Sequence, residues 1–303
     1  MVLTQRVFIE DISVGMLEDL RRRARRVRLV ATDLDGTLFD QTHTLRDGTR
    51  RALKALTDRG IVLAIATGRA RFTIPEAVTS LEGLGYIITA NGAKLYVSRT
   101  WELIFEKYLS LDALDYARPL FSDDEVLCEV FWDGAPHVEE ERYIKARDYG
   151  IPKWFSEYFF RTRIPTKDFE NAIGRHISKI ENINFVFGNE TVEERLRSFL
   201  AKRTDLYVFT SSFPFNFEIG GTGVSKGAAV GFIANRERIS AEETLCFGDQ
   251  NNDVAMIKSA GIGVATANAV SRAQAAADFV TLSNEQEGVA AALKLLGLVS
   301  EGD

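Results

Sequence analysis

Residues 30–39 read VATDLDGTLF, a run of apolar and β-branched residues that ends in two carboxylates, a glycine and a threonine. Extended upstream to VRLVAT (27–32), the run has strand length and is apolar on both faces, the pattern of a strand buried inside a sheet. The texture returns at IVLAIAT (61–67) and YIITANGA (86–93), with helical spacing between them in RDGTRRALKALTDRG (46–60) and near residues 74–82. From residue 225 the alternation resumes: SKGAAVGFIANR as helix, TLCFGD as strand, NNDVAMIKSAG as helix, GIGVAT as strand, VSRAQAAA as helix, DFVTL as strand and GVAAALKLLG as helix. Strands apolar on both faces and separated by single helices predict a doubly wound, Rossmann-like parallel sheet covered on both sides.

Between the two halves the texture changes. KLYVSRTWELIFEKY, EVLCEVFWDGAPHVEEERY and KIENINFVFGN are aromatic and alternating, as antiparallel strands are, and the segment is long enough for a core of its own. The sequence therefore divides into an N-terminal extension (1–26), an α/β core unit (27–92 and 217–303) and an inserted α+β domain (93–216). The joints, Asn91 to Ala93 and Phe213 to Phe217, are the expected hinges.

Composition narrows the class. The chain has 303 residues, 46% of them hydrophobic, and a net charge of −6, which argues against a broad nucleic-acid footprint. No apolar window reaches the length of a membrane span, and the first ten residues are too polar for a signal peptide. Cys128 and Cys246 lack metal-ligand spacing and read as reduced thiols of a cytoplasmic protein. Six arginines at 21–28 suggest an anion-binding patch, but a solvated helix with Met16, Leu17 and Leu20 on its inner side is the commoner outcome of such a run.

Open parallel sheets bind ligands beyond the carboxyl ends of their strands. TDLDGT, TGR and GDQNND fall at such ends, and VSKG opens a helix, bringing Asp33, Asp35, Thr67, Lys226, Asp249, Asn252 and Asp253 to one edge. Carboxylates crowded together repel unless neutralised, and an all-oxygen ligand set favours a hard cation such as Mg2+. With Lys226, Thr67 and the backbone at Gly68 as further partners, the expected substrate is a phosphate. Asp33 would be the nucleophile, forming an aspartyl-phosphate, and Asp35 would move protons to the leaving group and from the attacking water.

DLDGT, TGR, the lysine of SKG and GDQNND, in this order, resemble the four motifs of the haloacid dehalogenase-like superfamily, in particular its magnesium-dependent phosphatases. The insertion after NGA resembles the large α/β cap of the Cof-type branch in position and size. The resemblance implies that Asp33 and Asp249 are metal ligands, with the Asp35 backbone carbonyl completing the set. It implies that Thr67, Gly68, Lys226 and Asn252 bind the phosphoryl group, and that Asp253 orients the lysine or a metal-bound water. No core motif departs from the family pattern; the extension before residue 27 does. The implied activity is a Mg2+-dependent phosphomonoesterase acting on a small phosphorylated metabolite such as a sugar phosphate, as a monomer or homodimer. A phosphomutase and a non-catalytic phosphometabolite-binding protein are the alternatives.

Other features read more plainly. GGTGVSKG lacks the residue order of a nucleotide P-loop. His43, His137 and His176 share no metal or triad spacing and read as surface or core residues. WFSEYFF (154–160) reads as cap core or as a cap-to-core contact ahead of a substrate pocket.

Overall fold

The computed structural model describes residues 6–149, 151, 153–300 and 302. In chain order the first five strands are β1 (Leu29–Thr32), β2 (Val62–Ala66), β3 (Leu84–Thr89), β4 (Lys94–Val97) and β5 (Glu102–Glu106). The inserted strands follow: β6 (Val126–Trp132), β7 (Ala135–Glu139), β8 (Ile164–Thr166), β9 (Asn182–Phe187), β10 (Tyr207–Thr210) and β11 (Asn216–Gly221). The chain then returns through β12 (Thr244–Gly248), β13 (Ile262–Ala265) and β14 (Phe279–Val280).

The core sheet has eight strands in the order β14-β13-β12-β1-β2-β3-β4-β5. Its first six strands are parallel, and the β4–β5 hairpin is added antiparallel to β3. Every residue of β1 is buried, as a strand with neighbours on both edges and helices on both faces must be. Val30, Leu63, Ile65 and Phe247 pack on one side with Leu20, Leu53, Leu56 and Leu293 from three helices. Leu29, Ala31, Ala64 and Cys246 pack on the other with Val230, Ile233 and Met256. Strand order runs outward from β1 to β3 on one side and from β12 to β14 on the other. The reversal lies between β1 and β12, the position where a doubly wound sheet opens its ligand crevice.

The inserted sheet is ordered β10-β11-β9-β6-β7-β8. Its alternation sorts two faces. Cys128, Val130, Ile183, Phe185, Phe187, Phe217 and Ile219 form an apolar core with Leu114, Ile173, Val192 and Leu196 from the covering helices. Glu129, Asn182, Asn184, Asn216 and Glu218 occupy the opposite face, and all five are buried.

Two boundaries differ from the sequence reading. KLYVSRTWELIFEKY does form antiparallel strands, but β4 and β5 extend the core sheet, so the chain enters the cap near residue 108 and not at 93. β11 belongs to the cap sheet, so the chain leaves the cap at Gly221 and not at 216. The expected hinges are displaced accordingly: Asn91 to Ala93 forms a buried turn of the core, and the connections between sheets lie near 107–110 and 221–225. They run side by side, for a Cβ on Gly221 would meet the Tyr108 carbonyl oxygen at 2.5 Å.

The N-terminal extension is part of the core. Its helix Val14–Ala24 buries Leu20 and Ala24, while Met16 packs against the same cluster. The arginines serve that packing: Arg21 Nε donates to the Leu295 carbonyl at 2.9 Å, and Arg23 pairs with Asp278 at 2.9 Å. Ahead of the helix, Val280 N–H donates to the Val7 carbonyl at 2.8 Å, covering the β14 edge. Among the described residues no helix is long and apolar enough to cross a membrane.

Candidate active site

β1 delivers the first carboxylate. The Asp33 N–H donates to the Phe247 carbonyl of β12 at 3.0 Å, so the ladder carries Asp33 to the mouth of the crevice. There its Oδ1 accepts from Lys226 Nζ at 2.5 Å, and the same ammonium reaches Asp253 Oδ1 at 2.7 Å. Lys226 starts the helix Lys226–Glu237, whose N-cap is Ser225. The Asp253 Oδ2 accepts from the backbone N–H groups of Asp249 and Gln250, both at 2.9 Å, so Asp253 fixes the GDQNND loop and the lysine together.

Asp249 faces Asp33 across the crevice. Its Oδ1 accepts from Thr37 Oγ1 and its Oδ2 from Gln250 Nε2, each at 3.0 Å. Gly36, at φ +84°, is required here because a Cβ would collide with the Asp249 carboxylate. Oxygen atoms of Asp33, Asp249 and Asp253 lie within 4.8 Å of one another, and all three residues are buried. That donor set fits a hard divalent cation. Asp33 and Asp249 are the residues that could hold one, since Asp253 already accepts three hydrogen bonds from within the protein.

The electrostatics follow from burial. Desolvation pushes the Asp33 carboxyl well above its ordinary range against the pull of Lys226. Burial and the neighbouring Asp253 push Asp249 up to about 7. Burial alone would lower Lys226, but Asp253 and Asp33 outweigh it and hold the ammonium above its usual value.

Asp35 is placed differently. Burial would raise it, but a two-pronged pair with Arg69 wins, with Nε to Oδ2 at 2.7 Å and Nη2 to Oδ1 at 2.6 Å, and holds it well below the ordinary carboxylate range. His43 Nδ1 lies 3.2 Å from the same carboxylate, which corrects its reading as a mere surface or core residue. Tyr158 of the cap stacks on Arg69, 4.4 Å from guanidinium to ring centre, and on His43. Arg69 is the third residue of TGR; its partner across the crevice leaves no trace in local spacing. His137 and His176 lie away from the site, stacked on Trp132.

Thr67 and Gly68 turn beneath this group, Thr67 Oγ1 accepting from the Arg69 N–H at 3.1 Å. Asn252 Nδ2 donates to Asn91 Oδ1 at 2.9 Å. All eight motif residues singled out in the sequence line or adjoin a cavity of about 600 Å³. The cap supplies its roof: Phe131, Tyr158, Arg163, Asn184, Phe213 and Glu218. Arg163 is held by a two-pronged pair with Glu129 (3.0 and 2.8 Å). WFSEYFF thus divides its roles, Tyr158 facing the cavity and Phe159 the cap interior, while the side chains of Trp154 and Phe155 lie outside the described residues.

Residues 30–293 match the family profile of the haloacid dehalogenase-like hydrolases. The 5-amino-6-(5-phospho-D-ribitylamino)uracil phosphatase YcsE of Bacillus subtilis is 28% identical over 275 residues, covering 88% of this chain and 95% of that protein. Phosphatase YwpJ of the same organism is 29% identical, covering 89% of this chain and 100% of that one. The solved structure of a haloacid dehalogenase-like hydrolase from B. subtilis superposes with a TM-score of 0.76 at 25% identity, covering 90% of this chain and all of that one. The chain belongs to the haloacid dehalogenase-like hydrolases, as an enzyme of their Cof-type phosphatase branch.

Proposed function

We propose that the protein is a Mg2+-dependent phosphomonoesterase that hydrolyses a small phosphorylated metabolite through an aspartyl-phosphate on Asp33. The observation that carries this reading is the Asp33 carboxylate at the sheet reversal, bonded to Lys226 at 2.5 Å and set beside Asp249 in a cavity that the cap helps to line. Mg2+ held by Asp33, Asp249 and the Asp35 carbonyl would supply positive charge beside the phosphoryl oxygens. Lys226, Thr67, the backbone at Gly68 and Asn252 bind and orient the phosphoryl group, with Asp253 fixing Lys226. An Asp33 oxygen attacks phosphorus, the new O–P bond forms as the ester O–P bond breaks, and Asp35 gives its proton to the departing oxygen. Asp35 then takes a proton from the water that attacks the intermediate, and the Asp33 O–P bond breaks to release phosphate. The Arg69 pair must loosen for Asp35 to carry that proton.

The roof favours a neutral leaving group, since both of its charged side chains are already partnered: Arg163 is paired with Glu129, and Glu218 accepts from Asn91, Asn182, Asn216 and Ser212. Similarity to a phosphatase of a phosphoribitylamino-uracil supports testing phosphorylated polyols and sugars first. Two free, buried cysteines suit a cytoplasmic enzyme. The test is a phosphoester panel with Mg2+, with parent and Asp33→Asn side by side. Inorganic phosphate released in proportion to substrate consumed, and absent with Asp33→Asn, is expected. Isomerised phosphoester without free phosphate would mean a mutase, and no turnover of any ester would mean a binding protein.

A further inference from the structure

Asn91 stands where the two sheets meet and bonds to both. Its φ of +56° is left-handed, a conformation asparagine tolerates better than other residues with a Cβ. Its N–H donates to the Thr67 carbonyl at 3.1 Å, and its Oδ1 accepts from Asn252 Nδ2 at 2.9 Å. Its Nδ2 donates to Glu218 Oε2 on cap strand β11. Glu218 is ringed by donors: Asn182 Nδ2 at 3.2 Å on the same oxygen, and Asn216 Nδ2 at 3.0 Å with Ser212 Oγ on the other. Asn252 has no such surplus. It is 8% exposed, and its Oδ1 has no hydrogen-bond partner among the described residues, so Asn91 alone orients its amide.

We propose that Asn91 is a positioning residue that ties cap closure to the phosphoryl clamp: Glu218 of the cap sets the Asn91 amide, and Asn91 sets Asn252. The inference rests on the reading of Asn252 as a phosphoryl-binding residue. With the cap withdrawn, Glu218 leaves, the Asn91 amide is free to rotate, and Asn252 loses the bond that aims it. The clamp is then complete only when water has been excluded from the cavity.

Binding of inorganic phosphate to the full-length protein with Mg2+, measured by calorimetry, tests this, because phosphate has no leaving group through which Glu218 could act directly. Asn91→Gly keeps the left-handed backbone free of strain while removing both side-chain bonds. Glu218→Gln keeps the shape but sets an N–H against a donor. Each is expected to weaken phosphate about tenfold, the scale of a hydrogen bond to a charged group. The double variant is expected to be no weaker than Asn91→Gly, since both act along one path. For an aryl phosphate the loss falls mainly in KM. Parent-like phosphate affinity in Glu218→Gln, or losses that add in the double variant, overturns the proposal. A parent protein that binds no phosphate overturns the phosphoryl-site reading and the coupling with it. Should either variant fail to fold, Asn91→Asp retains the acceptor for Asn252 and opposes Glu218 with a second carboxylate; it must weaken phosphate likewise, and unchanged affinity refutes the coupling.

Discussion

Lys226 offers a direct measure of how the crowded carboxylates are held. It is 1% exposed, and its ammonium is shared between Asp33 at 2.5 Å and Asp253 at 2.7 Å. Lys226→Met keeps an unbranched stem and removes the charge, leaving two buried carboxylates without their countercharge. Removing one partner of a buried ion pair costs about 3–5 kcal/mol, a large part of a total stability of roughly 5–15 kcal/mol. At roughly 2 °C per kcal/mol for a chain of this size, the melting midpoint near pH 8 should fall by about 6–10 °C. Asp33 has one escape, which is to keep its proton. Burial already raises Asp33 while Lys226 opposes it, and without Lys226 the folded-state pKa rises further. A carboxyl raised on folding stabilises the protein below its unfolded pKa and loses that contribution as pH rises through the folded one. The deficit should therefore be small near pH 5 and full near pH 8. Calorimetric melting of parent and variant without divalent cations, across that range, reads it out. A midpoint at pH 8 within about 2 °C of the parent, or an equal deficit at both ends, would refute the account of Lys226 as the neutralising charge.

The same sign applies to the metal. Because Asp249 is raised to about 7, the cation-free protein should lose stability as pH climbs from about 4 through about 7, and the midpoint gain on adding Mg2+ should grow over that window; a gain independent of pH would count against Asp249 as a ligand. Asp35→Asn should release a stoichiometric burst of aryl alcohol from an activated aryl phosphate and then turn over slowly. Mass spectrometry should find one phosphoryl group on the peptide holding Asp33, and label on Lys226 instead would reverse the assignment. Leu20→Ala should cost about 2–5 kcal/mol in denaturant unfolding, since Leu20 is 1% exposed in the core; a silent change would detach the N-terminal helix from it. Gly221→Ala drives a Cβ against the Tyr108 carbonyl and should raise hydrogen exchange along β11 and the 107–110 connection, whereas exchange equal to the parent's would place the pivot elsewhere.

The parts of this molecule legible in its sequence are those in which local pattern and tertiary role coincide. Buried parallel strands are apolar on both faces, so β1, β2, β3, β12 and β13 announce themselves, and the polar clusters at their ends mark the crevice. The β4–β5 hairpin is different. An alternating antiparallel strand reads the same at the margin of either sheet, and only its pairing with β3 decides which one it joins. His43 was equally opaque. It reaches Asp35 through a turn in which Asp40 Oδ1 accepts from the N–H groups of Thr42 (2.9 Å) and Thr44 (3.0 Å), and spacing along the chain does not tell what lies opposite. Arg69 sits inside a motif, yet its bond to Asp35 and its stacking on Tyr158 are long-range facts.

The adjacency of Tyr108 and Gly221 also bears on how the chain assembles itself. The two halves of the core sheet are separated by roughly 110 residues, and joining them directly would require closing a loop of that length. If the inserted segment collapses first, its ends emerge together and the effective loop shrinks to a few residues, which lowers the closure entropy by about 2–3 kcal/mol. Weakening the cap interior, as Phe185→Ala would, should then slow the pairing of β1 with β12, a contact Phe185 never touches. Pulsed hydrogen exchange during refolding would detect the delay, and an unchanged rate at β1 would mean that the core closes around an unfolded cap.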